Sequence, residues 1–168
     1  MRALSVSWLA LCLAAAGPVA AAAETIADCP EFKAGWSAAL RRIEPARPEL
    51  VYGPPARGPD GPERVVNLPD VEARLTCPAG KLSHIEVRQA AAGAAGAALE
   101  PFLNVSAAVL LAFDHDLGPG PAAELIATMR AEATAKRAAV SSWGPYEITY
   151  GRAADGGGDE FVVDLAEN

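Results

Sequence analysis

The chain has 168 residues, of which 51% are hydrophobic, and its 21 acidic against 14 basic residues give a formal net charge of −7 at pH 7. This acidic balance argues against nonspecific binding to nucleic acid and against attraction to anionic membrane surfaces. The length is sufficient for one domain with a substantial hydrophobic core.

Residues 1–23 have the three-part layout of a secretory signal peptide. Arg2 supplies the basic start, residues 4–16 form an apolar run, and small residues precede a predicted cleavage after Ala23. The apolar run is too short for a membrane anchor, because crossing a bilayer takes about 20 residues.

Cys12 lies inside this apolar run, directly behind Leu11. A lipid-attachment site has a small residue before its cysteine, so we interpret Cys12 as part of the leader. We therefore predict that residues 24–168 form a single exported domain, periplasmic or secreted, with no membrane span after cleavage.

The two remaining cysteines, Cys29 and Cys77, form an even pair in a chain predicted to be exported, which indicates a disulfide bond. Closing a loop of this length contributes about 4 kcal/mol in the chain-entropy picture. The alternative is a redox-active or metal-binding pair, but the spacing matches neither C-x-x-C nor a zinc pattern.

The first helix is predicted to start near Asp28, a good N-cap residue, with Pro30 in its first turn and its end before Pro45. Residues 45–62 contain six prolines and three glycines, which predicts a surface loop with at most a short extended piece at residues 50–52. Such a loop serves either as a connector or as a binding loop.

Three strands are predicted next, over residues 63–68, 71–77 and 81–88, because apolar and polar residues alternate between proline- and glycine-containing turns. The alternation places His84 on the wetter face of the third strand, with Leu82, Glu86 and Arg88. We expect Tyr52 in the proline-rich loop and His84 on the sheet to belong to a contact surface.

Residues 89–99 are rich in Ala and Gly and predict either a linker or a weak first helical turn.

The longest apolar pattern spans residues 100–140 and predicts two helices that form an αα-hairpin. Pro101 fits the first helical position, residues 118–120 read Gly-Pro-Gly and end the first helix, and Pro121 opens the second. The inner stripe of the second helix is predicted to consist of Leu125, Ile126, Met129, Ala133 and Val140.

Residues 146–150 and 161–165 alternate again and predict a terminal β-hairpin that joins the earlier strands. The predicted fold class is therefore α+β, a single domain in the order α-β-β-β-α-α-β-β. We expect one antiparallel sheet of about five strands, helices packed on one face, and one disulfide bond.

Asp114, His115 and Asp116 form the densest group of potential metal ligands in the chain. Consecutive residues at a helix end point in different directions, and a polar helix end is also what a turn requires. Acidic side chains at a helix C-terminus oppose the helix dipole, which makes this triplet a small anomaly.

Residues 157–161 read Gly-Gly-Asp-Glu-Phe and resemble the signature of diguanylate cyclases, which lies at a hairpin turn in that family. Asp114 and Asp116 resemble the Asp-x-Asp metal pair that precedes the signature there. The resemblance implies acids that hold a metal against nucleotide phosphates. The sequence departs from the family after Asp116, where Leu-Gly-Pro-Gly replaces Phe-Lys-x-x-Asn-Asp, and a Gly-rich turn entering a strand also accounts for residues 157–161.

The sequence contains no nucleophile elbow, phosphate-binding loop, dinucleotide fingerprint or haem-attachment motif, so we assign no catalytic residue and no cofactor. The leading hypothesis is a non-catalytic exported binding protein for an unknown protein or small-molecule partner. The alternative is a small metal-dependent hydrolase that uses Asp114, His115 and Asp116.

Overall fold

The computed structural model describes residues 26–68, 70–89, 99–153 and 158–166. The predicted signal peptide and nearly all of the predicted linker at 89–99 lie outside these ranges. Gln89 is the last residue of a strand, and Leu99 is the first residue of a helix.

The described residues form three helices and one six-stranded antiparallel sheet, with the strand order β1-β2-β3-β6-β5-β4. The helices are α1 (Cys29–Ile43), α2 (Leu99–Phe113) and α3 (Pro119–Lys136). The strands are β1 (Glu63–Val65), β2 (Val71–Thr76), β3 (His84–Gln89), β4 (Ala138–Trp143), β5 (Tyr146–Arg152) and β6 (Asp159–Leu165). This arrangement confirms the predicted α+β class, the antiparallel meander and the terminal hairpin.

Strand β4 is the element that the sequence interpretation missed. Val140 was expected in the inner stripe of the second helix, and this was wrong: it lies in β4, and 60% of its surface is exposed. The helix ends at Lys136 because Arg137 adopts a left-handed conformation, with φ 77°. The β-branched valine and the two serines that follow have low helix propensity, so the chain leaves α3 as a strand.

The prolines in the first turns of α2 and α3 occupy helix positions that differ from the expected ones. Pro101 is the third residue of α2 rather than the first, and α3 begins at Pro119 rather than at Pro121. Both positions lie in the first turn, where a missing N–H breaks no intrahelical hydrogen bond. Asp28 does precede α1, but its side chain makes no cap hydrogen bond and instead accepts one from Lys81.

The hydrophobic core lies between the helices and one face of the sheet. Buried residues of adjacent strands stand opposite each other, as Val87 and Phe161 do across β3 and β6. Trp36 of α1 is fully buried, and its indole N–H donates a hydrogen bond of 3.4 Å to the carbonyl of Val105 in α2. This contact joins two of the helices that cover the sheet.

The opposite face of the sheet carries no helix in the described part of the chain, and its middle strands are lined with alternating charges. Arg88 of β3 contacts Glu86 at 2.7 Å and Glu160 at 2.6 Å, and Arg74 of β2 lies 3.9 Å from Glu86. We refer to this surface as the open face. Leu82 was expected on it but is fully buried, because it precedes β3 and its N–H bonds to the carbonyl of Ala27.

The predicted disulfide bond is present between Cys29 and Cys77, whose Cα atoms are 6.1 Å apart. It ties the first residue of α1 to the residue after β2, across 48 positions of sequence. Within the described residues, no helix combines the length and apolar character that a membrane crossing requires.

Candidate binding site

A cavity of about 660 Å³ opens where the end of α2 meets the β4–β5 turn and the segment before α1, and we call it the α2-end cavity. Its walls come from residues 26–28, 31–32, 112–116 and 143–146. The predicted triplet Asp114, His115 and Asp116 therefore lies in a cavity, together with residues that are distant in the sequence.

One wall of the α2-end cavity is aromatic. The ring of Phe113 lies between Phe32 and Tyr146, with centroid distances of 4.9 Å to each. Trp143, at the end of β4, is half-buried at the rim. Phe32 and Tyr146 are themselves buried and support Phe113 from behind, so Phe113 and Trp143 supply the aromatic surface that the cavity exposes.

Tyr146 is held in place by its hydroxyl group. The hydroxyl accepts a hydrogen bond of 2.9 Å from the N–H of Ala27 and donates one of 3.2 Å to the carbonyl of Leu82. Burial raises the pKa of Tyr146, and the hydrogen bond from Ala27 acts against this shift. The residue therefore stays neutral and fixes the aromatic wall to the segment before α1.

The other wall is acidic, but only some of its carboxylates already have a partner. Asp114 Oδ1 accepts hydrogen bonds from the N–H groups of Asp116 and Leu117, at 2.9 and 3.2 Å, and so forms the turn that ends α2. Asp28 pairs with Lys81 at 2.8 Å.

The side chains of Glu31 and Asp116 are exposed at the cavity. Across the residues that the structure describes, neither carboxylate takes part in an ion pair or hydrogen bond. The end of helix α2, where the dipole is negative, faces the same space. The electrostatic environment of the cavity therefore favours a positively charged group.

The three side chains of the triplet have different surroundings. His115 packs over α1, where a Cβ built on Gly35 would lie 3.6 Å from its Cε1 atom. In the described ranges, no three His, Cys, Asp or Glu side chains stand close enough together to hold a metal ion. The turn formed by Asp114 explains why a polar residue stands at this position.

The structure places Tyr52 and His84 on different sides of the sheet. The Tyr52 hydroxyl donates to the carbonyl of Lys33 in α1 at 3.3 Å, and burial is the main cause that raises its pKa, followed by Glu63 and Glu49. His84 lies on the open face, where its Nδ1 is 2.6 Å from Asp164 Oδ1 of β6. Tyr52 therefore packs a loop onto α1, and His84 joins two strands.

The two patches that resemble diguanylate cyclases are not brought together. Asp159 begins β6 and lines a second cavity of about 460 Å³, whereas Asp114 and Asp116 line the α2-end cavity. Asp159 Oδ2 accepts hydrogen bonds from the Tyr150 hydroxyl at 2.9 Å and from Arg130 at 3.0 Å. These contacts give Asp159 a structural role, the pairing of β6 with β5 and α3.

Sequence reasoning did not identify the aromatic wall. Tyr146 was predicted only as the first residue of a strand. The sequence offered one signal: Phe113 directly precedes the triplet that begins at Asp114, and a second pair of aromatic residues, Trp143 and Tyr146, flanks a Gly-Pro turn. Nothing in the spacing of these residues indicates that the two turns meet.

Comparison with protein-family models, with curated proteins and with solved structures gave no match.

Proposed function

We propose that the protein is an exported, non-catalytic binding protein whose α2-end cavity takes a small organic cation. The observation that carries the proposal is that an aromatic wall and two exposed carboxylates, Glu31 and Asp116, line the same cavity. Cations bind favourably over aromatic faces, by about 0.5–2 kcal/mol depending on desolvation.

The cavity volume of about 660 Å³ lies within the usual range for small-molecule sites. Asp114 and Asp116 at the end of α2 are unfavourable for the helix dipole on their own. A bound cation would compensate both the dipole and the exposed carboxylates, which gives a reason for acids at this position. The absence of any catalytic motif in the sequence supports binding rather than turnover.

Export is supported by the leader-like residues 1–23 and by the Cys29–Cys77 disulfide, since such bonds persist in oxidising compartments. Intact mass spectrometry of the protein from its own host tests this part. We expect a chain that starts at Glu24, with two cysteines that react with an alkylating agent only after reduction. A chain that retains Met1 and free thiols would contradict export.

The binding proposal is tested by calorimetric titration with two probes of the same shape and opposite charge, benzamidinium and benzoate. We expect benzamidinium to bind and benzoate to bind at least about tenfold more weakly. Trp143→Ala should weaken benzamidinium binding by about tenfold, and Glu31→Gln by about threefold. Glu132→Gln, which alters an exposed acid on α3 away from the cavity, is the matched control and should leave binding unchanged.

Equal affinity for the two probes, or no binding of either, would contradict the proposal. The hydrolase alternative is separated from it by elemental analysis. A stoichiometric metal ion that is lost in Asp116→Ala would favour the hydrolase, whereas benzamidinium binding that survives a chelator favours the binding protein.

A further inference from the structure

Strand β4 forms one edge of the sheet, and its sequence lacks the features that usually protect an edge. Its residues read Ala-Ala-Val-Ser-Ser-Trp, with no charge and no proline. It pairs with β5 on one side, and no strand in the described part of the chain pairs with its other side. Uncharged edge strands of this length are templates for pairing with another chain.

The hydrogen bonds at the two ends of the β5–β6 pair show which backbone groups of β5 face β6. Ala153 N–H donates to the carbonyl of Gly158 at 3.0 Å, and Ala166 N–H donates to the carbonyl of Pro145 at 2.8 Å. Both bonds belong to the β5–β6 register, and both use odd-numbered positions in or next to β5. Because antiparallel partners alternate along a strand, the even-numbered residues of β5 direct their N–H and C=O groups toward β4.

The register between β4 and β5 carries this alternation to the edge. The even-numbered residue Ile148 stands opposite Ser141, so Ser141 is bonded to β5. The N–H and C=O groups of Ala138, Val140 and Ser142 consequently point away from the sheet. No hydrogen bond from elsewhere in the described residues reaches these three positions.

The side chains beside this edge form an uncharged, β-branched row on the open face. Val140 is opposite Thr149 of β5, and Thr149 is opposite Val162 of β6. Val140 is 60% exposed, although it is apolar. A strand added at the edge would place its central side chain directly against Val140, where a second β-branched residue packs well.

We propose that β4 pairs with β4 of a second copy of this chain, antiparallel and centred on Val140. Only one register bonds every outward group: Val140 faces Val140 of the second copy, and Ala138 faces its Ser142. This register is two-fold symmetric, as an interface between identical chains requires. In this register the row of Val162, Thr149 and Val140 continues across the seam with Val140, Thr149 and Val162 of the second copy.

The sequence of β4 is also compatible with a second copy at this edge. In a two-fold register the central residue meets its own copy, so a charged residue there would face a like charge. The seam between the two β4 strands contains no ionisable side chain. The opposite edge of the sheet could not pair in this way, because the chain itself covers it.

Sedimentation equilibrium of the purified chain tests the proposal with a pair of charge variants. The unchanged chain is expected to show a concentration-dependent monomer–dimer equilibrium. Val140→Lys and Val140→Glu should each fold normally, because the side chain is exposed, and each should weaken the dimer by about tenfold or more, because two like charges meet at the seam. An equimolar mixture of the two variants should restore the dimer.

Val66→Lys is the matched control, because Val66 is 57% exposed at the opposite edge of the sheet and should leave the dimer unchanged. A chain that stays monomeric at every accessible concentration would overturn the proposal. A dimer that tolerates both Val140 variants, or a mixture that does not reassociate, would overturn the pairing at Val140. The benzamidinium titration is independent of these outcomes, so the cavity and the edge can fail separately.

Discussion

The two edges of the sheet are built differently although they belong to the same six strands. At the β1 edge, the proline-rich segment runs alongside the strand: Gly53 N–H donates to the carbonyl of Arg64 at 2.8 Å, and Val66 N–H donates to that of Val51 at 2.9 Å. Tyr52 forms an isolated bridge with Val65. At the β4 edge, the described chain provides no such cover.

Helix α1 also anchors the β1 edge, from the face of the sheet that the helices cover. Lys33 of α1 pairs with Glu63 at 2.6 Å, and its Nζ lies 5.1 Å from the centre of the Tyr52 ring. The Cys29–Cys77 bond fastens the start of the same helix next to the end of β2. The β1 edge is therefore closed by a segment of the same chain, whereas the backbone of β4 is left open on its outer side within the described residues.

The largest effect is expected from removing the covalent anchor on the β1 side. Replacing Cys29 and Cys77 together by alanine should lower the unfolding free energy by about 2–5 kcal/mol, because the unfolded chain gains loop freedom. Thermal unfolding followed by circular dichroism should show a midpoint lower by about 10 °C. Reduction of the unchanged protein should give a similar shift, and an unaltered midpoint in both cases would show that the disulfide does not anchor this side.

Removing the cover of the β1 edge should have the next largest effect. Tyr52→Ala deletes a half-buried ring that packs on Trp36 at a centroid distance of 6.4 Å, and should cost about 2–3 kcal/mol. The backbone amides of Gly53 and Val66 should then exchange with deuterium faster than in the unchanged protein. Tyr52→Phe retains the ring and serves as the control. Equal exchange in the alanine variant would mean that the prolines hold the segment without Tyr52.

The ion pair between α1 and β1 should contribute less. Lys33 and Glu63 are partly shielded from solvent, so Glu63→Gln is expected to cost about 1 kcal/mol in denaturant-induced unfolding. The exposed pair of Lys136 and Glu132 on α3 provides the comparison, and Glu132→Gln should cost less than about 0.5 kcal/mol. Equal costs would remove the argument that burial strengthens the β1-side pair.

The smallest effect is expected at alkaline pH, again on the β1 side. The pKa of Tyr52 is raised in the folded state, so the unfolded tyrosine, which titrates near pH 10, loses its proton first. The contribution of Tyr52 is therefore complete below about pH 10 and is lost progressively above it, by about 1 kcal/mol at pH 11. The unfolding free energy of Tyr52→Phe should fall less steeply above pH 10, and an identical slope would contradict the shift.

The same two edges show how far the fold can be predicted from sequence. The β1–β2–β3 meander followed from period-two alternation between turn residues, and the proline-rich loop followed from composition. Strand β4 was missed because its alanines continue the composition of α3, and its exposed Val140 fits a helical spacing. Helix α3 ends at the left-handed conformation of Arg137, and no glycine marks this position in the sequence.

The candidate site was predicted only in part. The triplet Asp114, His115 and Asp116 was singled out from its residue types, because local chemistry can be read from local sequence. The aromatic wall and the cavity depend on two turns that meet only when the helices pack on the sheet, so no short-range pattern encodes them. Tyr52 and His84 were singled out together, but they lie on different sides of the sheet because alternation assigns faces within a strand and not between a loop and a strand.

Amide hydrogen exchange at both edges, measured over a range of protein concentrations, tests the comparison most directly. We predict that the amides of Gly53 and Val66 are protected equally at every concentration, because their partners belong to the same chain. The amides of Val140 and Ser142 should exchange freely in dilute solution and become protected as the concentration rises. Protection of Val140 and Ser142 that does not change with concentration, or its absence at all concentrations, would contradict the account of an open, self-pairing edge.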